Sequence, residues 1–311
     1  MKSSVLRPGL FALSFVLAIG SLVIAAAAEK QPTENQTPKT PYNILLIICD
    51  QESHKLQPAE GFKLPARDTL ARRGITFGNH YIAAAMCTPS RGVMFSGQPP
   101  QVNGVFDQLE SGYVPSLRSD QPSLGTIMKQ LGYSTAYYGK FELLKKIVWP
   151  SEKVNYAEAI KEYGFDHFAP DGEKNGTPEQ GYNTDTYSSA LGVRWLRANA
   201  KKLNNKGKPW LMVVSFVSPH DIMYADANPK GEQTQVPKLA GAINPPPDDG
   251  TFLKQWTFPL SPSRNDPIDE PGRPAAQMEY HVGWSSVLGT IPSDREDMWR
   301  TYYNYYLNLI R

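Results

Sequence analysis

The sequence is poor in cysteine: among its 311 residues only Cys49 and Cys87 carry a thiol. Two cysteines can form at most one disulfide, which excludes a small fold held together by several such bonds. Stability must therefore come from a hydrophobic core, and 41% hydrophobic residues are enough to build a large one. A Cys49–Cys87 disulfide and two free thiols are both open as alternatives.

The sequence also lacks an excess of charge of either sign and any internal repeat. Its 32 basic and 30 acidic residues leave a formal net charge of +2. A nucleic-acid partner is therefore not expected, because phosphate backbones select strongly basic surfaces. The missing repeat argues against an array of small repeated units. A globular domain is the class that remains.

The first 28 residues have the pattern of a secretory signal peptide. Lys2 and Arg7 precede an apolar stretch, and a run of alanines ends at Ala28. We expect cleavage near Ala28, export to the periplasm or the medium, and no contact with a membrane except through this signal. An uncleaved anchor is the alternative, since the apolar stretch is nearly long enough to span a bilayer. Residues 29–41 are predicted to be a polar tether.

Three apolar runs, each followed by polar residues, predict the strands of a sheet. The first run resembles a strand that is buried on both faces. Between the runs, apolar residues recur with helical spacing, and this alternation predicts an α/β fold with a mainly parallel central sheet and helices on both faces. The first predicted strand lies in the run 42–51, with Asp50 at its carboxyl end, and the others are 133–138 and 210–216. The predicted helices are 64–73, 124–131 and 185–203.

Polar side chains stand directly after each predicted strand. Asp50 and Gln51 follow the first, Lys140 and Glu142 the second, and His220 the third. The carboxyl ends of parallel strands meet at one edge of a sheet, where open α/β folds bind their ligands. A carboxylate such as that of Asp50 is a natural ligand for a hard divalent cation. Taken alone, Asp50 could equally be a turn residue or a helix cap.

The run Cys87-Thr88-Pro89-Ser90-Arg91 lies between the first two strands. A proline suits the first turn of a helix, because the N–H it lacks would be unpaired there. The N-terminus of a helix in turn favours anions, so an anionic ligand could lie beside Cys87. The alternative is a buried thiol in an ordinary turn.

Taken together and in this order, the four segments resemble the signatures of the type I sulfatases, which belong to the alkaline-phosphatase-like superfamily. The resemblance implies that Cys87 is oxidised to formylglycine, whose hydrate supplies the nucleophilic oxygen. A formylglycine-generating enzyme that reads the Cys-x-Pro-x-Arg run is the implied partner. Arg91 is then expected to hydrogen-bond the hydrated aldehyde, and the implied reaction is hydrolysis of a sulfate ester.

The resemblance also implies roles for the residues after the strands. Asp50, the oxygen at position 87 and, more weakly, Gln51 would bind a divalent metal, with Ca²⁺ as the expected ion. Lys140 would contact the sulfate and His220 would face the ester oxygen. Glu142 departs from the family pattern, because it occupies the position where sulfatases carry a histidine that acts as a base. A carboxylate can take that role, but is a weak base near neutrality unless its pKa is raised.

Two other functions are compatible with these residues. Related enzymes with the same Asp-Gln start hydrolyse phosphonate monoesters or phosphodiesters. A secreted protein that has kept the fold and lost turnover is the other alternative, suggested by Glu142 and by the end of the chain. The resemblance covers 42–311 and ends in a tyrosine-rich helix at 298–310, before the family's second metal-binding segment. We therefore expect a truncated form with little activity.

The segment 218–293 is rich in proline and poor in periodicity, which predicts a long loop within the domain 42–311. We expect this loop to be a lid that shapes the substrate site, and the alternative is a loop that packs on the core. Its candidate side chains are Trp256, Arg264, Tyr280, His281 and Trp284. Asn79 is a weaker site candidate, chosen only for its position upstream of Cys87. Asp107 and Gln108 are candidates by the resemblance, because they fall where some branches of the family carry an Asp-Asn pair near the substrate.

Overall fold

The computed structural model describes residues 41–311 except 54–58, 149, 151–152 and 233–244. The predicted signal peptide and nearly all of the predicted tether lie outside the described residues, so export stays a prediction. In the portion that is described, no helix has both the length and the apolar character that crossing a membrane requires.

Three parallel strands form the described sheet, in the order β1-β3-β2. They are β1 (Ile44–Ile48), β2 (Ser134–Gly139) and β3 (Trp210–Ser215). In the pairing register, Ile48 and Gly139 both lie opposite Ser215, so the three strands end at the same level. This alignment brings the polar residues that follow each strand to one edge.

The helices lie between the strands and after β3. Ser123 begins the fourth helix with a reciprocal capping box, as its position before an apolar segment predicts. The described helices are α1 (Pro65–Arg73), α2 (Cys87–Ser96), α3 (Pro100–Asn103), α4 (Leu124–Gln130), α5 (Lys145–Val148), α6 (Tyr156–Lys161), α7 (Gln180–Trp195), α8 (Lys201–Asn205), α9 (Ala275–Leu288) and α10 (Glu296–Ile310). A π-helical turn, Leu196–Ala200, joins α7 to α8.

Helices pack on both faces of the sheet at β2 and β3, whose successive side chains point to opposite sides. On one face Tyr137 and Val213 pack with Phe95 of α2 and Ile160 of α6. On the other face Tyr138, Met212 and Val214 pack with side chains of α7, including Trp195. The predicted α/β fold with helices on both faces is therefore confirmed.

The prediction that the first strand is buried on both faces is wrong. Leu46 and Ile48 pack against the main core, but Leu45 is 45% exposed and Ile47 is 49% exposed. The reason is that β1 lies at an edge of the described sheet, where no described element covers its second face. An apolar run predicts a strand, but it does not report how many of the strand's faces are covered.

The prediction of a loop throughout 218–293 is also wrong, because α9 lies within it. None of the residues of α9 is buried, and its apolar residues are spread around the helix, so no single apolar stripe marked it in the sequence. Trp256, expected in the lid, packs instead against Phe62 beside Leu307 of α10. Its indole N–H donates to Asn308 at 2.8 Å.

Candidate active site

The N-terminus of α2 places Cys87 at the carboxyl edge of the sheet. Cys87 is the first residue of the helix and Pro89 lies in its first turn, as predicted. The Cys87 thiol donates to the Asp50 carboxylate, with 3.4 Å between Sγ and Oδ1. Both cysteines are free, so the alternative of a Cys49–Cys87 disulfide is not realised.

Four buried charged side chains form the floor of the site: Asp50, Arg91, Lys140 and Glu142. Lys140 Nζ lies 3.0 Å from Asp50 Oδ2 and 3.2 Å from Glu142 Oε2. Arg91 Nη2 lies 2.9 Å from the same oxygen of Asp50. Two positive and two negative charges therefore compensate one another, as buried charges must. Asp50 is an ion-paired residue and not the helix cap considered as its alternative.

Arg91 connects the ends of all three strands. One Nη donates to the carbonyl of Lys140 at 2.6 Å and to the hydroxyl of Ser215 at 2.9 Å, while the other binds Asp50. These bonds occupy donors that the resemblance assigns to the hydrated aldehyde. The guanidinium nevertheless lines the cavity above Cys87. In the structure Arg91 therefore holds together the ends of the three strands.

The backbone at the strand ends has an uncommon conformation. In the described chain, the non-glycine residues with positive φ are Gln51, Glu142 and Glu179. Gln51 and Glu142 follow β1 and β2 and have φ angles of 58° and 53°. Such backbone is sparsely populated outside glycine and is often found at functional sites. It orients the floor side chains away from the regular strand direction.

Burial and the floor charges shift the pKa values of the site. Burial raises the pKa of the Cys87 thiol to about 12 although Lys140 opposes this, so the thiol stays protonated at neutral pH. Burial also raises the pKa of Glu142 to about 8, against the effect of Lys140 and Arg91. Burial and the charge of Lys140 lower the pKa of His220 to about 4. For Asp50, the two cations outweigh burial and hold the pKa well below its usual range.

The floor offers ligand atoms for a metal ion. Atoms of Asp50, Cys87 and Glu142 lie within 4.8 Å of one another. Glu142 Oε2 is buried without a hydrogen bond of good geometry and lies 3.2 Å from Lys140 Nζ. Carboxylate oxygens suit a hard cation, but Ca²⁺ takes roughly six to eight of them. The described residues thus fit the cation in chemical type and supply part of its shell.

A cavity of about 1080 Å³ opens above the floor. Its lining includes Asp50, Gln51, Cys87, Arg91 and His220, whereas Lys140 and Glu142 lie beneath the surface. The structure therefore brings every one of the predicted catalytic and metal residues to this one place.

One wall of the cavity is a face of α9. This face, called here the α9 wall, consists of Tyr280, His281, Trp284, Ser285 and Leu288, whose spacing places them on one side of the helix. The rings of Tyr280 and Trp284 lie 6.0 Å apart, and Tyr280 is 52% exposed. Arg264 also lines the cavity, where it forms a salt bridge with Glu296. The predicted lid residues thus face the site, except Trp256.

The weaker candidates differ in their positions. Gln108 lines the cavity, and its Oε1 accepts the backbone N–H of Thr88 at 3.1 Å, so it supports the start of α2. Asp107 accepts the hydroxyl of Tyr113 and the N–H of Gln108. Asn79 is exposed and is not part of the cavity lining.

Three buried or half-buried carboxylates that sequence reasoning missed hold the loops of the site. Glu173 accepts the N–H of Phe141 at 2.7 Å. Asp185 accepts the N–H groups of Val217 and Ser218 at 2.8 and 2.7 Å, and Asp221 accepts those of the two residues 181 and 182 at the start of α7. An acid among polar loop residues usually lies in solvent. No sequence signal marks these three as structural acceptors.

Comparison with known proteins agrees with the site. Residues 42–311 match the family model described as Sulfatase. An ulvan-active sulfatase of Formosa agariphila is 29% identical over 71% of this chain and 42% of its own length. A Δ4,5-hexuronate-2-O-sulfatase of Bacteroides thetaiotaomicron is 26% identical over 72% of this chain, again with 42% of its own length covered. The chain thus spans less than half the length of these relatives.

Solved structures show the same fold. A phosphonate monoester hydrolase from Silicibacter pomeroyi superposes with a TM-score of 0.50 at 18% identity, over 87% of this chain and 56% of that one. At that identity the likeness concerns the fold alone. The family model covers nearly the whole described chain, and with the order of its motifs this places the protein in the sulfatase family.

Proposed function

We propose that this protein hydrolyses sulfate monoesters at the cavity above Cys87. The observation that carries the proposal is the convergence of Asp50, Cys87, Lys140, Glu142 and His220 at the carboxyl edge of one sheet. Sulfatases use a divalent metal and a formylglycine. Asp50, Cys87, Lys140 and His220 match the family motifs for this chemistry, whereas Glu142 stands where the family carries a histidine. The proposal is stated for the full-length protein, since this chain covers part of its relatives' length.

Two groups that the family requires have a place here. A divalent cation, which we propose to be Ca²⁺, would be held by Asp50, the oxygen at position 87 and, more weakly, the amide of Gln51, and would polarise the sulfate. A formylglycine made from Cys87 would supply the attacking oxygen in its hydrated form. The cysteine itself is a poor nucleophile, since its raised pKa keeps it protonated at neutral pH.

Lys140 is proposed to bind the sulfate. Its Nζ is fully buried and is within reach of two carboxylates, but no contact has the angles of a good hydrogen bond. Since an ammonium has three N–H donors, one of them can face a sulfate oxygen while both ion pairs are kept. Its charge would be available there before the reaction begins, which is what makes such a group effective in a site that excludes water.

His220 is proposed to protonate the departing alcohol. The imidazole lines the cavity while Nδ1 is buried without a hydrogen bond, and its low pKa makes the ring neutral in the free protein at pH 7. A bound sulfate ester adds negative charge beside the ring and therefore raises the pKa of His220. The histidine is then able to carry a proton only when substrate is present.

Glu142 is proposed to be the base that restores the resting site. The family carries a histidine at this position, and a glutamate with an ordinary pKa would accept a proton poorly near neutrality. Burial raises the pKa of Glu142 to about 8, which brings its basicity close to that of the expected histidine. The substitution is therefore compatible with turnover.

The α9 wall supports a sulfated carbohydrate as the substrate. Aromatic rings next to hydrogen-bonding groups suit a sugar, which has apolar ring faces and polar edges. Tyr280 and Trp284 offer such rings, while His281 and Ser285 offer polar atoms. Several relatives are named for sulfated glycans, including ulvan.

A comparison of sulfate and phosphonate esters tests the proposal. Full-length protein expressed through its natural export route would be assayed with 4-nitrophenyl sulfate, with 4-nitrophenyl phenylphosphonate and with a sulfated oligosaccharide. We expect turnover of both sulfates above that of the phosphonate, and loss of all activity in Cys87→Ala. A higher kcat/KM for the phosphonate would identify a phosphonate monoester hydrolase instead. Turnover of none of the three would favour a non-catalytic protein.

A further inference from the structure

Glu173 is a half-buried residue in the loop between α6 and α7, and its carboxylate lies against the segment that follows β2. Its Oε1 accepts the backbone N–H of Phe141 at 2.7 Å and that of Lys174 at 3.1 Å. The N–H of Glu142 also faces this carboxylate. The other oxygen, Oε2, is buried and accepts no hydrogen bond. The carboxylate therefore accepts hydrogen bonds from the backbone of the segment that carries Lys140 and Glu142.

That segment cannot hold its conformation through regular secondary structure. β2 ends at Gly139, whose φ is 101°, and three residues later Glu142 has a φ of 53°. The backbone of Lys140 is held by the sheet, because its N–H donates to Ser215 at 2.9 Å and its carbonyl accepts Arg91. Beyond Lys140 the chain leaves the strand, and Glu173 is the acceptor that binds the next N–H.

We propose that Glu173 is a positioning residue for catalysis, which fixes the backbone of Phe141 and Glu142 so that the side chains of Lys140 and Glu142 keep one geometry in the site. The proposal rests on the proposed function of Lys140 and Glu142. Glu173 does not line the cavity and does not touch the substrate. Its contribution is the placement of an acceptor at the right distance, and not its charge.

Two substitutions of Glu173 separate the effect of side-chain length from the effect of its charge. Glu173→Gln keeps the length of the side chain and a carbonyl oxygen for the N–H of Phe141, but removes the charge. Glu173→Asp keeps the charge but is one methylene shorter, so it cannot reach Phe141 without a shift of the backbone. If placement is what matters, the glutamine variant resembles the wild type and the aspartate variant does not.

The test measures these variants in the full-length protein, with Glu162→Gln as a matched control on the exposed end of a surface salt bridge. For 4-nitrophenyl sulfate we expect kcat within about threefold of wild type for Glu173→Gln. Since misplacement by about 1 Å can cost roughly a hundredfold in rate, we expect kcat to fall about 10- to 100-fold in Glu173→Asp, with a smaller change in KM. If Glu173 only stabilised the fold, its substitution would lower the melting temperature, but kcat would not fall more in Glu173→Asp than in Glu173→Gln.

Amide hydrogen exchange gives a readout that does not depend on activity. We expect faster exchange of the peptide that contains residues 139–144 in Glu173→Asp than in Glu173→Gln or the wild type. Equal kcat for Glu173→Asp and wild type, or a loss in Glu173→Gln equal to that in Glu173→Asp, would overturn the proposal. If the wild type turns over no sulfate ester, the proposed function is wrong, whatever the variants show. The affinity for inorganic sulfate is then compared in place of kcat, and we expect weaker binding in Glu173→Asp than in Glu173→Gln or the wild type.

Discussion

The floor and the α9 wall of the cavity are built in opposite ways. The floor consists of buried charges that closely follow strands or lie in the first half of α2, and each of them is bound by at least one of the others. The α9 wall comes from a helix without a buried residue, and its rings are partly exposed. The floor is thus fixed by the fold, whereas the wall contributes little to the fold.

Under the proposed function, this difference assigns the reaction to the floor and the recognition of the substrate to the α9 wall. A preorganised floor is what charge stabilisation in a transition state requires, because its groups must not rearrange during the reaction. An exposed wall can change its side chains without disturbing the core, so it is suited to substrate choice. Substitutions in the floor should therefore abolish chemistry or folding, and those in the wall should change which substrate is preferred.

The largest expected effect comes from removing the floor cation. Lys140→Ala should lower kcat for an aryl sulfate by about 10²- to 10³-fold, because a preorganised charge at the sulfate is lost. Steady-state kinetics on full-length protein would measure this. Lys129→Ala, which removes an exposed lysine paired with Asp166, is the control and should leave kcat unchanged. A loss of less than tenfold in Lys140→Ala would contradict the assignment of the floor.

The rigidity of the floor predicts a large effect on stability at Gly139. A Cβ at this position would collide with the backbone oxygen of Ser215, and the φ of 101° is unfavourable for any other residue. We expect Gly139→Ala to lower the free energy of unfolding by more than about 3 kcal/mol in urea denaturation. Gly78→Ala, where nothing lies within 4 Å, should change it little. Equal effects of the two would show that the floor is not tightly packed.

A pH dependence of stability would sharpen the picture of the floor. Burial raises the pKa of Glu173 to about 7, above its usual value in the unfolded chain. The Glu173 carboxyl therefore keeps its proton up to a higher pH in the folded state than in the unfolded chain. The titration of this group lowers the stability of the wild type as the pH rises from about 4.5 to 7. Glu173→Gln removes this titration. In metal-free protein, the variant should gain stability relative to wild type over that range, by up to about 3 kcal/mol. A constant difference between pH 4.5 and 8 would contradict the shift.

The smallest expected effect lies in the wall. Trp284→Ala should raise KM for a sulfated oligosaccharide by about tenfold, the loss of one ring contact of about 1.4 kcal/mol. Its kcat for 4-nitrophenyl sulfate should stay near that of wild type, because the floor is untouched. Val282→Ala, on the same helix but outside the cavity lining, is the matched control. An equal loss on both substrates in Trp284→Ala would break the division between floor and wall.

The sequence predicted the floor well because local rules determine it. Apolar runs identified the strands, and the carboxyl-end rule predicted that Asp50 lies at a ligand site. Lys140 and His220 were chosen through the resemblance to the sulfatase motifs. The N-terminal position of Cys87 on α2 followed from Pro89. These features depend on neighbouring residues in the chain, so a single sequence is enough to find them.

The parts that the sequence missed depend on contacts between distant segments. Glu173 lies 32 residues from the N–H it accepts, and its neighbours are typical of a solvated loop. The helix α9 has apolar residues on all sides, so the usual amphipathic stripe was absent. The exposure of Leu45 and Ile47 reflects the position of β1 in the sheet, which a strand's own residues do not encode.

The central claim is that position 87 becomes the catalytic group, and the mass of the tryptic peptide 74–91 tests it most directly. The peptide would be taken from protein expressed with its natural export route. We predict the loss of mass that accompanies conversion of the Cys87 thiol to an aldehyde. An unmodified thiol in the mature protein would contradict the account, because the site would then lack its nucleophile.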